Sequence, residues 1–464
     1  MKKWFKVLSA LSLTTALALT GCSSASNTAA PSGSGGASGG GNAGDKVVTI
    51  ATVNNPDMVI MQKMAKDYEK ETGTKVNFVV LPENDLRKKV TEDVALGGGK
   101  FDIVTIGTYD TPIWAKNKWI EPLTPYFDKM SASEKSDYNL EDVFQSLRDA
   151  LSYDKQLYAV PFNGESSMLY YNKDMLAKAG VTMPEHPTWD QVADIAKKVK
   201  AANNVPGIVL RGLPGWGEIL APLDTVINAF GGSWYDMNWN AKLSSPETVK
   251  GVKFYVDLLK DAGEPGATST GFTEALTLMQ TGKAGMWYDA TTAAGFLNDP
   301  KSSQVVGKIG YAYAPKEVKD NTGWLWAWAL GMESSSKHKE DAFKFITWAT
   351  SKKYIEKVGK SEGWVVAPGG TRKSTYENPE YKKAAPFADI TLKSMENADY
   401  KHPTKNPVPY EGVQYVAIPE FQQLGTDVSQ EIASAISGQK SVEDAMKIAQ
   451  DKAEKVAKDG GYKK

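Results

Sequence analysis

Strand and helix patterns alternate over residues 47–106. Val47-Val48-Thr49-Ile50-Ala51-Thr52-Val53 is rich in β-branched residues and closes at Asn54-Asn55-Pro56-Asp57. It reads as a buried strand. A helical pattern runs from about Met58 to Thr72 and stops at Gly73. A second strand, Lys75 to Leu81, precedes Pro82-Glu83-Asn84-Asp85 and a helix that Gly97-Gly98-Gly99 breaks. Phe101 to Ile106 is a third strand. This order predicts an α/β architecture with a mostly parallel sheet.

The same style continues. Strands are expected at Ser167–Asn172, Gly285–Tyr288, Val305–Ala314 and Trp324–Met332. Pro187-Thr188-Trp189-Asp190 opens a helix, with Thr188 or Asp190 as cap. Helices are also expected at Ser245–Lys260, Asp341–Lys360, Val428–Ser437 and Val442–Ala457. Asp57 is expected to cap the first helix. The chain from about Lys46 to Lys464 is long for one core and suits two lobes.

Composition removes several chemistries. With 54 basic and 55 acidic residues the net charge is −1, which does not suit a nucleic-acid binder. There are three histidines, and no His-Glu-x-x-His pattern. Gly98-Gly99-Lys100 and Gly282-Lys283 lack the remaining residues of a phosphate loop. No catalytic, metal or cofactor residues are therefore expected. Carboxylate pairs for glycoside hydrolysis stay open, since distant Asp and Glu can meet in a fold, but nothing local marks a pair. Cys22 is the sole cysteine, so stability rests on the core without intrachain disulfides.

Open α/β sheets bind ligands beyond the carboxyl ends of their strands. The segments there are Asn54-Asn55, Glu83-Asn84, Thr108-Tyr109-Asp110, Asn163-Gly164-Glu165 and Asp289. They are polar and lack cations. Paired donors and acceptors suit a polyhydroxyl ligand, and the 13 tryptophans supply faces for its C–H groups. Trp216 and Glu218 lie in a glycine-rich loop, where an indole is not simply core. Trp324, Trp326 and Trp328 alternate along one strand face. Trp324 and Trp326 are taken as ligand contacts, with core packing expected for at least one of the three. Asp289 either accepts two hydroxyls or caps Thr291-Thr292. Trp364 is a further cleft candidate, and Arg372 offers either a fork of donors or a surface cation.

The amino terminus adds an address. Lys2 and Lys3 precede an apolar run from about Val7 to Leu19, as in a secretory signal over residues 1–21. Leu19-Thr20-Gly21-Cys22 resembles a bacterial lipobox, which implies lipidation of Cys22 and anchoring at the outer face of a cell membrane. Residues 22–45, rich in Ser, Gly and Ala, read as a flexible linker.

Glu165-Ser166-Ser167-Met168-Leu169-Tyr170-Tyr171-Asn172-Lys173-Asp174-Met175-Leu176 resembles a segment of family 1 extracellular solute-binding proteins, the maltose-binding protein class. Phe101-Asp102-Ile103-Val104, Gly282 to Trp287 and Ala435 to Ala445 match in register. Pro161 to Met168, Gly215-Trp216-Gly217-Glu218, Trp324 to Trp328 and Val408 to Gln414 resemble its sorbitol/mannitol-binding branch. The resemblance implies a two-lobed periplasmic-binding-protein-like fold of class II with hinge strands. Residues 46–158 and 329–362 would form the N-terminal lobe, and 162–323 with 368–464 the C-terminal lobe. Glu165 carries over from a family ligand contact. The class stacks sugar rings on an indole in the segment that reads Ile418 to Gly425 here, and this chain has Gly425 there. The implied function is capture of a sugar alcohol of the sorbitol or mannitol type for the permease of an ABC importer. The protein would act as a monomer that closes on its ligand without a bond being made. A mono- or oligosaccharide binder and a secreted carbohydrate-active enzyme are the alternatives.

Overall fold

The computed structural model describes residues 46–463. The signal segment 1–21, Cys22 and the linker up to residue 45 lie outside the described residues.

Ten strands are present among them: β1 (Val47–Val53), β2 (Lys75–Leu81), β3 (Ile103–Ile106), β4 (Ser152–Tyr153), β5 (Gln156–Leu157), β6 (Ala159–Glu165), β7 (Ser167–Asn172), β8 (Met286–Ala290), β9 (Ile309–Tyr313) and β10 (Trp326–Met332). One sheet has five strands in the order β2-β1-β3-β10-β6. Its β1, β2 and β3 are parallel, as the alternation with helices predicts. β10 enters the sheet the other way and pairs antiparallel with both β3 and β6. The second sheet, β8-β7-β9, is antiparallel throughout and departs from the mostly parallel expectation. β1 is buried from Ile50 to Val53 because helices cover it. Met58, Met61, Met64 and Tyr68 of helix Pro56–Thr72 are buried, and Tyr68 meets Phe345 of helix Lys339–Ala349 edge-on at 5.2 Å.

Helix signals were informative where a cap exists. Gly73 ends the first helix with φ 71° and donates its N–H to Glu69. Thr188 and Gln191 form a capping box at the start of helix Trp189–Asn203. Two expectations fail. The single helix over Asp341–Lys360 is two, Lys339–Ala349 and Lys352–Ser361, because Ser351 caps the second by accepting from the Tyr354 N–H at 3.0 Å. Asp57 is no cap. Asn55 holds the N-cap position without a side-chain bond, and the Asp57 carboxylate instead accepts from Asn163 Nδ2 at 2.6 Å. No helix among the described residues is long and apolar enough to cross a membrane.

Three segments pass close together where the two sheets meet. β6 and β7 are separated by Ser166 alone. Trp324 and Leu325 lead into β10. The turn at Gly369-Gly370 lies against β6, with the Gly164 N–H donating to the Gly369 carbonyl at 3.2 Å. A Cβ on Gly164 would sit 2.3 Å from the Gly370 carbonyl oxygen, and one on Gly370 would sit 1.8 Å from that of Gly164. Gly370 also holds φ 73°, where a side chain is strained. Gly164→Ala and Gly370→Ala are each expected to cost about 1–3 kcal/mol or more in urea unfolding. Wild-type midpoints for both would show that the backbones can part freely.

Candidate functional site

β6 and β10 pair in antiparallel register, with Trp326 opposite Glu165 and Trp328 opposite Asn163. Directly opposed residues project from the same face of a sheet. Two indoles, a carboxyl and an amide therefore point together into a cleft enclosing about 560 Å³ of empty space, part of it open to solvent. Trp324 continues the row, so all three alternating tryptophans line the cleft. Gly107 makes room for this, since a Cβ there would lie 2.0 Å from the Trp326 ring.

Two arginines form the electrostatic frame. Arg87, one turn after Glu83, donates to Glu83 Oε1 through Nε at 3.0 Å and Nη2 at 2.7 Å. Its guanidinium carbon lies 4.1 Å from the ring centre of Trp216, 4.9 Å from that of Trp328 and 5.1 Å from that of Trp326. Desolvated cation–π contacts of this kind contribute about 2 kcal/mol each at most. Arg211 makes a two-pronged pair with Asp289, at 2.8 and 2.6 Å, and donates to the Gly217 carbonyl at 3.0 Å. Burial opposes charge on Arg211, but the Asp289 carboxylate overrides it and raises the pKa.

The other carboxyls are driven toward neutrality. Burial pushes Glu165 up to about 8, against the pull of its Thr292 hydrogen bond (2.9 Å) and of Arg211. Burial, then the nearby Glu83, pushes Glu218 up as well. Asp57 and Asp110 are raised by burial too. A protonated carboxyl both donates and accepts, as does a hydroxyl. Several buried polar atoms in the wall have no protein partner: Asn163 Oδ1, Trp216 Nε1 and Trp324 Nε1. Unpaired buried groups are costly and point to a polar guest.

The cleft brings together Asn55, Glu83, Glu165, Trp216, Trp324 and Trp326 of the sequence candidates. Glu218 and Asp289 stand behind that wall as Arg211 partners at 3.6 and 2.6 Å. Asp289 does not cap Thr291-Thr292; its Oδ1, which takes Arg211 Nη2, also accepts from the Ala290 N–H at 2.7 Å, and its Oδ2 accepts from Trp287 Nε1 at 3.1 Å. Four candidates lie outside the cleft. Asn54 is exposed and edges a different, outer hollow. Tyr109 is buried among Trp216, Tyr415 and Phe421, and its hydroxyl donates to the Ile418 carbonyl at 2.9 Å. Trp364 packs on Gly359 of helix Lys352–Ser361. Arg372 is wholly buried, spending its donors on the carbonyls of Thr350, Tyr138 and Asn139 and on Asp142, so neither the cleft fork nor the surface cation describes it. Sequence reasoning missed Arg87 and Arg211, and the cleft does hold cations. The i, i+4 spacing of Glu83 and Arg87 was the available signal. Arg211 follows an apolar stretch and had none.

Residues 52–356 match the bacterial extracellular solute-binding protein family. This chain belongs to that family. It is 43% identical over 424 residues to the mannitol-binding protein of Pseudomonas aeruginosa, covering 91% of this chain and 95% of that protein. Among solved solute-binding proteins, one from Agrobacterium vitis S4 with bound D-mannitol superposes with a TM-score of 0.86 at 49% identity, covering 89% of this chain and 99% of the other. One from Agrobacterium radiobacter K84 in complex with ribitol gives 0.78 at 25%, covering 88% and 98%. The fold is thus the two-lobe fold of maltose-binding-protein-like solute-binding proteins.

The raised carboxyls of this solute-binding protein have a stability signature. The unfolded Glu165 loses its proton near 4.5, and the folded one keeps it to about 8. Between those values the folded state binds more protons, so this group's contribution falls as pH rises and levels off above about 8. Glu165→Gln removes that loss. The variant's gain in Tm over wild type is expected to be larger at about pH 8.5 than at about pH 5. An equal difference at both would mean that Glu165 is ionised in the fold.

Proposed function

We propose that the cleft captures an acyclic sugar alcohol, a hexitol such as D-mannitol first, for delivery to the permease of an ABC importer. The observation that carries this is the row of indoles beside buried carboxyls held near neutrality, in a chain 43% identical to a mannitol-binding protein. A flexible, uncharged polyalcohol offers hydroxyls in both donor and acceptor sense, and C–H groups for indole faces. Asn55, Asn163, Glu165, Trp324 and Trp326 serve as direct contacts, with Glu83 holding Arg87, and Asp289 and Glu218 holding Arg211. Two lobes, built from residues 46–158 with 329–362 and from 162–323 with 368–464, close about the segments that join the sheets. A ligand touching both lobes favours the closed form by its differential affinity.

Calorimetry with D-mannitol, D-sorbitol, D-arabitol, ribitol, D-glucose and maltose tests the ligand class. Saturable heat with the polyols is expected, and heat from the cyclic sugars alone would overturn the reading. Trp326→Ala is expected to weaken hexitol binding by about tenfold or more, as truncation of a central buried aromatic anchor does.

Lipidation of Cys22 would hold the protein at the outer face of the membrane. The support is the Leu19-Thr20-Gly21-Cys22 run and the linker behind it. Expressed in a bacterium with its full leader, the wild-type chain is expected to partition into the detergent phase, and Cys22→Ser into the aqueous phase. Identical partitioning would remove the anchor from the proposal.

A further inference from the structure

A second cavity, of about 820 Å³ of empty space with part of it open to solvent, lies beside β9 of the second sheet. It shares none of its lining residues with the indole cleft. Its floor is formed where two of the sheet-joining segments meet: Ser166, the single residue between β6 and β7, and Gly323, just before Trp324. These segments touch so closely that a Cβ on Gly323 would lie 2.9 Å from Ser166 Oγ. Ser394 of helix Ala388–Asn397 also lines it.

The hydroxyls of Ser166 and Ser394 are both buried, with the residues 0% and 6% exposed, and neither has a hydrogen-bond partner in the protein. A serine on a helix usually satisfies itself on the preceding turn. Two such groups facing one cavity from different elements call for a polar occupant. The rim sets its charge. Lys316 and Asp320 carry one charge of each sign, and Asn321 and Asn397 are neutral amides. His186 lies flat on Tyr313, the ring centroids 4.5 Å apart and the planes 1° from parallel, as an aromatic ledge at the same rim. Hydroxyls and amides of mixed sense, no net charge and an aromatic ledge match a neutral polyhydroxyl compound better than an anion or a cation.

We propose that this cavity is a second binding site for a small neutral polyhydroxyl molecule, behind the segments that join the two sheets. It stands apart from the identity of the cleft's ligand. Because Ser166 follows Glu165 and Gly323 precedes Trp324, an occupant here touches the same two connections that carry cleft residues.

The three histidines make the test direct, because among the described residues His186 alone lines this cavity. Its imidazole proton signal is assigned in the full chain by loss in His186→Gln. Erythritol and D-mannitol are then titrated separately. A saturable shift of the His186 signal with at least one of them is expected. Ser394→Leu replaces a buried cavity hydroxyl by a bulky apolar side chain and Asn397→Trp crowds the cavity from an exposed position, so misfolding of one leaves the other. Either is expected to weaken the His186 titration by about tenfold or more, since a polar contact is lost and the space is narrowed. The cleft affinity read by calorimetry is expected to change less than about threefold, the usual scatter for sites without shared contacts. A linear, non-saturating His186 response to both compounds would overturn the proposal, as would saturation that survives in a folded variant of either kind.

Discussion

The antiparallel pairing of β6 with β10 is the constraint on which the site depends. In a sheet the side-chain period is two, so a slip of one residue in β6 would turn Asn163 and Glu165 to the face opposite Trp326 and Trp328. The register is held from several sides. β10 is also bonded to β3, and β6 is pinned at Gly164 by the Gly369-Gly370 turn. Both strands continue directly into segments beside the second sheet, through Ser166 and through Trp324-Leu325. Motion between the sheets would therefore pivot close to the residues that face the cleft, and the strands would carry those residues as a fixed set.

The second governing effect is desolvation. Seven ionisable side chains, Asp57, Arg87, Asp110, Glu165, Arg211, Glu218 and Asp289, are buried in or just behind the cleft, and Glu83 is half-buried beside them. Isolated buried charges are prohibitive, and two solutions appear side by side. Arg87 and Arg211 keep their charges by pairing with Glu83 and Asp289. Glu165, Glu218, Asp57 and Asp110 are pushed toward the neutral acid. The wall that results is dense in hydrogen-bonding groups, with its two cations each paired to a carboxylate. Folding bears the cost of these groups, which is why Glu165→Gln gains most at a pH where Glu165 itself would otherwise ionise.

How much of this was legible in the sequence follows from what each signal encodes. β1 to β3 and their helices were readable because local periodicity and glycine stops report on one element at a time. The antiparallel second sheet was not, since pairing direction depends on contacts far apart in the chain. Alternation put Trp324, Trp326 and Trp328 on one face, but only the register with Glu165 and Asn163 shows that this face lines the cleft rather than the core. Arg372 misled for the complementary reason. A guanidinium can be taken up inside the fold by backbone carbonyls and one carboxylate, and nothing in its neighbours announces that Thr350, Tyr138, Asn139 and Asp142 will converge on it. Tyr109 failed similarly: it ends a strand-exit loop as a ligand residue would, but its ring is taken up by Trp216, Tyr415 and Phe421.

Gly425 fixes the packing behind the cleft. It lies in helix Phe421–Ile436. A Cβ at this position would come within 2.8 Å of Trp216 Cβ and 3.3 Å of Leu220 Cδ1, so no larger residue fits beside Trp216 as it stands. Trp216 in turn lies against the Arg87 guanidinium and reaches Trp326 edge-on at 6.2 Å. An indole at 425 and this placement of Trp216 exclude each other. The chain has taken the second arrangement, with Trp216 lying over the Arg87–Glu83 pair. A bulky side chain at 425 would displace Trp216 and leave Arg87 without its nearest ring, so the packing behind the cleft wall depends on a glycine at this position.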